Sequence, residues 1–437
     1  MSGARPVTVM GLGLFGGGAA VARYLARSGA RVTVTDLRTA SELAPALAQL
    51  SDCDVRYVLG EHRKEDFRAA ELVVANPAVP PSSPYLAAAR DAGVPITSEA
   101  ALFLDRCPAR VAAITGTQGK SSCASFLAQI LSGSGVRAWL GGNIGRSLLD
   151  VLDEMAPEHV AVIELSSYQL EVLPDQVARR GADSPVELAA VTNVLADHLE
   201  RHGSRAAYAR AKARVLELVR PGGTALLPAD FEGEPPPGVA RLGPAPRSEG
   251  EADRAAIEAL GLPGFQHDNL RLALRAARCL GADEPATRAA LAGTEAPPHR
   301  LEHLGTLRGR AIWDNGVSTT PDSTVSAMRA LEPGFVLLCG GKDKRLPLEE
   351  LVAVARARAS RVVVFGAAAP AWVPLLRAAG VQTHAARGVE EGLALCLEQG
   401  REGEALLFSP AAASFDAWPN FRARALAFRA ALGPLDD

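Results

Sequence analysis

The chain has 437 residues, enough for about three domains at roughly 150 residues each. Apolar residues make up 48%, charged residues 22%, and the net charge is -3, which excludes a dominant disordered tail and a protein held on nucleic acid by its overall field. No stretch reaches the roughly 20 uncharged apolar residues that a spanning helix needs, and the start runs into a strand and a glycine turn instead of an apolar leader. A cytoplasmic monomer without nucleic-acid or membrane partners is expected.

Six cysteines stand far apart at 53, 107, 123, 279, 339 and 396, without CxxC or zinc spacing, so reduced and mostly buried thiols are expected. Only five of the 46 basic residues are lysines: Lys64, Lys120, Lys212, Lys342 and Lys344. Arginine has taken nearly every generic surface role. The surviving lysines are candidates for tasks that a planar guanidinium cannot perform.

Short apolar runs at 7–10, 32–35, 72–75, 111–115, 160–163 and 362–365 alternate with Ala/Leu/Arg-rich helical stretches. That alternation predicts α/β architecture with parallel sheets covered by helices. Pro95 and Pro108 flank a short helix, and Pro297-Pro298-His299-Arg300 separates an alanine-rich helix from new strands, which predicts units over 1–97, 98–299 and 300–437. Residues 228–250 are rich in proline and read as an irregular surface excursion.

The first strand enters Gly11-Leu-Gly13-Leu-Phe-Gly16, and Asp36 closes the second strand. This is a dinucleotide-type fingerprint that suits another phosphate-bearing ligand somewhat better and plain turn geometry least. A second turn is more specific. After the strand at 111–115 comes Gly116-Thr117-Gln118-Gly119-Lys120-Ser121-Ser122, then a helix over 122–131. It is a shortened relative of the Walker loop: amides make a concave nest, Lys120 places a compact charge on the β/γ-phosphates, and the Ser121 hydroxyl can ligate Mg²⁺. Glu164 ends an apolar strand, where P-loop proteins hold Mg²⁺ or its water shell. Val191 to Gly203 repeats the layout of a strand and then a polar loop, carrying His198, and the next predicted helix, 205–219, holds Lys212 among arginines. That exception suggests an amine needed for itself, as a charge on a phosphate or as a carbamylated metal ligand.

GTQGKSS, ELSSYQLE, TNVLADHLERHGS, YARAKARV, PHRLE and SPAAASFDAWPNFRARALAF, in order along the whole chain, together resemble the Mur ligases, and the last is most similar to that of the D-glutamate-adding members. The resemblance implies three domains: an N-terminal Rossmann-like one, a central P-loop ATPase-like parallel sheet and a C-terminal Rossmann-like one. It implies an ATP-dependent amide ligase of peptidoglycan precursor synthesis, with UDP-N-acetylmuramoyl-L-alanine and D-glutamate as substrates. Leu14, Phe15, Asp36 and Arg38 would surround UDP, and Asn143 would meet the precursor. Lys120, Ser121 and Glu164 would serve the ATP phosphates and one Mg²⁺, with His198 and a carbamylated Lys212 at a second. Asp268, Asn269 and Arg300 would contact adenosine. Lys344, Ser414, Phe421 and Thr319 would receive D-glutamate, with Arg424 as a support.

The sequence departs from that pattern at several places. Asp268 replaces an asparagine, Val317 the lysine of a DSK-type loop, either Asp314 or Asn315 stands for its aspartate, and Ala425 replaces the glycine after Arg424. Three other readings compete: a ligase of the same family with another acceptor, including the folylpolyglutamate type; a nicotinamide-dependent oxidoreductase; and a binding protein that has lost catalysis. The oxidoreductase leaves the P-loop, Glu164, His198 and Lys212 unexplained.

Overall fold

The computed structural model describes residues 4–14, 16–144, 146–177, 183–195, 199–243, 250–399, 401 and 403–436, with backbone only at 199, 200, 265 and 399. Each of its three sheets is a run of consecutive strands. The first holds β1 (Pro6–Met10), β2 (Arg31–Asp36), β3 (Val55–Leu59), β4 (Leu72–Ala75) and β5 (Ile96–Thr97) in the order β3-β2-β1-β4-β5, all parallel. The second holds β6 (Arg110–Thr115), β7 (Ala138–Gly142), β8 (Val160–Glu164), β9 (Val186–Val191), β10 (Thr224–Leu226) and β11 (Ala240–Leu242) in the order β11-β10-β9-β6-β8-β7, again all parallel. In the third, β12 (Glu302–Leu307), β13 (Arg310–Asp314), β14 (Phe335–Gly340), β15 (Ala359–Phe365), β16 (Thr383–Ala386) and β17 (Leu406–Ala411) run β12-β13-β17-β14-β15-β16, where only the β12/β13 hairpin is antiparallel.

The expected strands all form, because near-continuous apolar runs suit parallel strands buried on both faces. Val111, Ala112, Ala113 and Ile114 of β6 and Val160, Ala161 and Val162 of β8 are wholly enclosed. One apolar core serves the first two sheets, running from Val7, Val9 and Leu12 through Leu102 and Phe103 to Val111, Trp139 and Ile163. The proline-flanked helix Glu99–Arg106, capped by the Ser98 hydroxyl, supplies its middle. These sheets belong to one compact unit, Met1–Leu260 with Asn269–Thr294, and the third sheet to another, Gly261–Asp268 with Glu295–Asp437.

Two local outcomes differ from expectation. The proline-rich excursion contributes an edge strand, β11, although 244–249 lie outside the described residues. The helix expected over 205–219 is α-helical only over Arg205–Ala213 and tightens to a 3-10 helix over Arg214–Leu218. Three residues per turn brings positions i and i+3 onto one line, and Val215 and Leu218 are both buried. Among the described residues no helix is long and apolar enough to cross a membrane.

Candidate active site

The candidate phosphate-binding turn joins β6 to the helix Lys120–Gly133, whose first turn presents amides without intrahelical partners. Two glycines are required by space as well as conformation. Gly116 (φ 144°) and Gly119 (φ 78°) have left-handed backbones, and side chains there would run into Thr192 and Asn269 respectively. Asn193, two residues past β9, braces the turn: its carbonyl accepts the Thr117 amide at 2.9 Å and its side-chain oxygen the Gln118 amide at 2.9 Å. The expected nest is therefore narrower than seven residues, because those two amides are engaged within the protein.

Lys120 folds over the turn and donates to the Thr117 carbonyl at 2.7 Å. Ser121 and Ser122, beside it in the helix, are buried. Lys212 lies within the same unit at 1% exposure, donating to the Gly116 carbonyl at 2.6 Å, with its ammonium 4.6 Å from the Tyr208 ring centre. Tyr208, itself buried, donates its hydroxyl to Thr117 Oγ1 at 3.1 Å. The amine at 212 thus sits beneath the phosphate turn, held by a carbonyl and an aromatic face. His198 lies outside the described residues, as does Phe15.

Parallel pairing of β8 with β6 sets Glu164 opposite Ile114, two residues before Gly116. Glu164 is 1% exposed; one carboxylate oxygen accepts from Asn143 Nδ2 at 3.0 Å and the other, Oε2, has no partner among the described residues. A buried carboxylate oxygen left unpaired costs free energy unless a cation or proton meets it. Beside a phosphate turn with a helical hydroxyl at Ser121, that orphan oxygen fits a divalent cation. Asn143, exposed on the GGNIG loop, also donates its amide to the Glu164 carbonyl at 2.9 Å, so it supports the carboxylate from outside.

In the first sheet Asp36 is 4% exposed and spends its carboxylate on backbone, accepting from Gly13 N at 3.1 Å and Arg38 N at 2.9 Å. It shapes the glycine turn from inside, while Leu14 is half-buried at the turn and the Arg38 guanidinium is half exposed, 3.8 Å from Asp36. The three residues assigned to adenosine divide between the units: Asn269, which fills the space above Gly119, belongs to the first, and Asp268 and Arg300 to the second.

The second unit gathers its nominated residues at the carboxyl ends of β13, β17 and β14, adjacent strands, the end at which open α/β sheets bind their ligands. Thr319 follows β13, Lys344 follows β14, and the buried Ser414 follows β17. Lys342 and Ala413 form an isolated antiparallel bridge, with amides donating at 2.8 and 3.0 Å, so the Lys344 and Ser414 loops are joined. Arg424 is fully buried and donates to the carbonyls of Ala412 (2.8 Å), Ala413 (3.1 Å) and Ser318 (3.0 Å). Burial pulls it down to about 9, opposed by Asp416, so it stays charged at neutral pH. Phe421 opens the last helix at 38% exposure.

The ambiguity between Asp314 and Asn315 resolves into two different roles. Asp314 is fully buried and accepts from His299 Nδ1 at 2.6 Å, Arg429 Nε at 2.7 Å and Gly316 N at 2.8 Å; Asn315 donates to Ser409 Oγ at 2.9 Å. Ala425 also finds its explanation. A side chain at 316 would bring its Cβ within 2.5 Å of the Ala425 methyl, so glycine in the loop accommodates alanine in the helix.

Sequence reading missed Tyr208, Thr192 and the Asp314–His299–Arg429 network. Each acts through a contact far along the chain. Only the presence of Tyr208 on the same helix as Lys212, four residues before it, could have drawn attention to it.

A P-loop, a buried strand-end carboxylate and a third Rossmann-like sheet define an α/β ligase of the Mur class. The Mur ligase middle-domain model matches residues 114–234, and the Mur ligase MurD-like N-terminal-domain model matches residues 5–98. A UDP-N-acetylmuramoylalanine–D-glutamate ligase from Roseiflexus sp. is 33% identical over 96% of this chain and 97% of that one. The fold is shared with the UDP-N-acetylmuramate-alanine ligase MurC of Thermotoga maritima (TM-score 0.62, 17% identity, 97% of this chain and 98% of that one). It is also shared with the MurF ligase of Thermotoga maritima solved in complex with ADP (TM-score 0.57, 17% identity, 92% and 95%). The chain belongs to the UDP-N-acetylmuramoylalanine–D-glutamate ligase family of Mur ligases.

Proposed function

We propose that this protein joins D-glutamate to UDP-N-acetylmuramoyl-L-alanine at the expense of ATP, as a cytoplasmic monomer. The observation that carries the reading is Glu164, a fully enclosed carboxylate at the strand beside the phosphate turn, with one oxygen that no described residue satisfies. Relatives of 30–33% identity over nearly the whole length share one named activity, whereas ligases for other acceptors are similar at 14–17% identity, through the fold. That difference favours D-glutamate over the other acceptors.

In this reading the alanine carboxylate of the precursor attacks the γ-phosphorus of ATP, ADP leaves, and an acyl phosphate forms. The amine of D-glutamate then attacks the acyl carbon, and phosphate departs with the oxygen that the carboxylate supplied. Both reactants of the first step are anionic, so positioning and positive charge dominate the catalysis. Lys120 supplies a charge to the terminal phosphates and the Lys120–Gly133 helix start supplies amides. Ser121 and Glu164 would hold one Mg²⁺, and His198 with a carbamylated Lys212 a second. Magnesium, when bound, neutralises phosphate charge and steadies the in-line arrangement. Carbamylation forms a bond between Lys212 Nζ and the carbon of CO₂; the ammonium gives up one proton to become a free amine and a second as the C–N bond forms, so a donor to Gly116 becomes an anionic metal ligand.

Leu14, Phe15, Asp36, Arg38 and Asn143 would receive the UDP precursor, and Asp268, Asn269 and Arg300 adenosine. Thr319, Lys344, Ser414 and Phe421 would receive D-glutamate on a frame that Arg424 supports. The test is phosphate release by the purified protein. It should require ATP, UDP-N-acetylmuramoyl-L-alanine and D-glutamate together, and equal turnover with L-alanine or a diamino acid would reject the acceptor.

A further inference from the structure

The carboxyl ends of β13, β17 and β14 have an uneven charge distribution. The loop after β13, from Asn315 to Thr320, is wholly uncharged, and the loop after β17 carries only the acidic Asp416 before Phe421. The guanidinium of Arg424 is enclosed and committed to carbonyls. Among these three loops the accessible positive charge comes from the one after β14, through Lys342, Lys344 and Arg345; exposed Arg422 lies past Phe421, in the last helix.

A dicarboxylic amino acid brings two carboxylates, and each needs a cationic or hydrogen-bonding partner to leave water. Lys344 accounts for one. For the other, Lys342 is favoured by its backbone. Both its amide and its carbonyl are bonded to Ala413, the neighbour of Ser414, so its Cα is fixed beside the buried hydroxyl. Arg345 is held two residues beyond Asp343, whose carboxylate accepts its amide at 2.7 Å, and it takes a left-handed backbone (φ 55°) past the bridge. Composition points the same way. An ordinary solvated cation in this chain is an arginine, yet two of its five lysines lie in this one loop.

We infer that Lys342 is a specificity-determining residue that supplies the second positive charge for the two carboxylates of the acceptor. This rests on the proposed D-glutamate reading.

The test is steady-state kinetics of the full chain with ATP, UDP-N-acetylmuramoyl-L-alanine and one of three acceptors: D-glutamate, D-glutamine or D-isoglutamine. The two amides each lack one carboxylate charge and are scored by KM, or by inhibition constant where turnover is absent. Lys342→Ala is expected to raise KM for D-glutamate about 10- to 100-fold, as for a lost charge-assisted contact, with kcat and KM for ATP within about threefold. One of the two amides should be unaffected, because it already lacks the charge that Lys342 meets. Lys342→Arg should stay close to the parent. An unchanged KM for D-glutamate in Lys342→Ala, or an equal rise for all three acceptors, overturns the inference. A parent that does not use D-glutamate instead overturns the reading beneath it.

Discussion

Replacing Lys212 by arginine is expected to lower kcat to less than about one-thousandth of the parent value, the scale of losing a residue that acts as part of a catalytic unit. The side chain is 1% exposed and its ammonium donates to the Gly116 carbonyl beneath the phosphate turn. Arginine retains positive charge, so a purely electrostatic lysine would tolerate the change in part. It cannot form a carbamate, so a metal-ligating lysine would not. Because a larger group in this enclosed space threatens the turn itself, Lys212→Ala is the companion variant. It should be inactive alone and regain activity with added short-chain carboxylates that occupy the vacated volume. Arginine activity near the parent's, or alanine inactivity that no carboxylate relieves in a folded protein, would refute the carbamate.

Arg424→Met should cost about 3–5 kcal/mol of stability, the range for breaking a buried charged hydrogen-bond network. The carbonyls of Ser318 and Ala412 accept from this guanidinium, as does that of Ala413 alongside the Lys342 amide, and with the side chain fully enclosed its removal leaves acceptors unpaired away from solvent. Methionine fills much of the volume but donates nothing. Denaturant unfolding should show the loss as a lower midpoint, concentrated in the unit that contains Glu295–Asp437. A midpoint within experimental error of the parent would mean that the loops hold their shape without Arg424.

How far the sequence reveals this depends on the range of each interaction. The strands were legible because parallel-sheet burial writes itself as short apolar runs, and β6, β8 and β15 lie where those runs are. The phosphate turn was legible for the same reason of locality: glycines, lysine and serines follow one another. The bracing of that turn was not. Asn193 reaches Gln118 across 75 residues, and Tyr208 reaches Thr117 across 91. Only the order of strands brings them together. Asp314 was recognised as one of two residues that could stand for the family's aspartate, but its partners His299 and Arg429 lie 15 and 115 residues away. The 3-10 turn at Arg214–Leu218 escaped because helical propensity continued through it while burial of Val215 and Leu218 decided the pitch.

The account centres on a carboxylate activated by phosphoryl transfer before the amine arrives. Its most direct test is isotope transfer, with UDP-N-acetylmuramoyl-L-alanine carrying ¹⁸O in the alanine carboxylate, ATP and D-glutamate. Each phosphate released should contain one ¹⁸O atom from that carboxylate, in step with amide formation. Amide formed while the phosphate stays unlabelled would contradict the acyl phosphate and with it the proposed chemistry of this site.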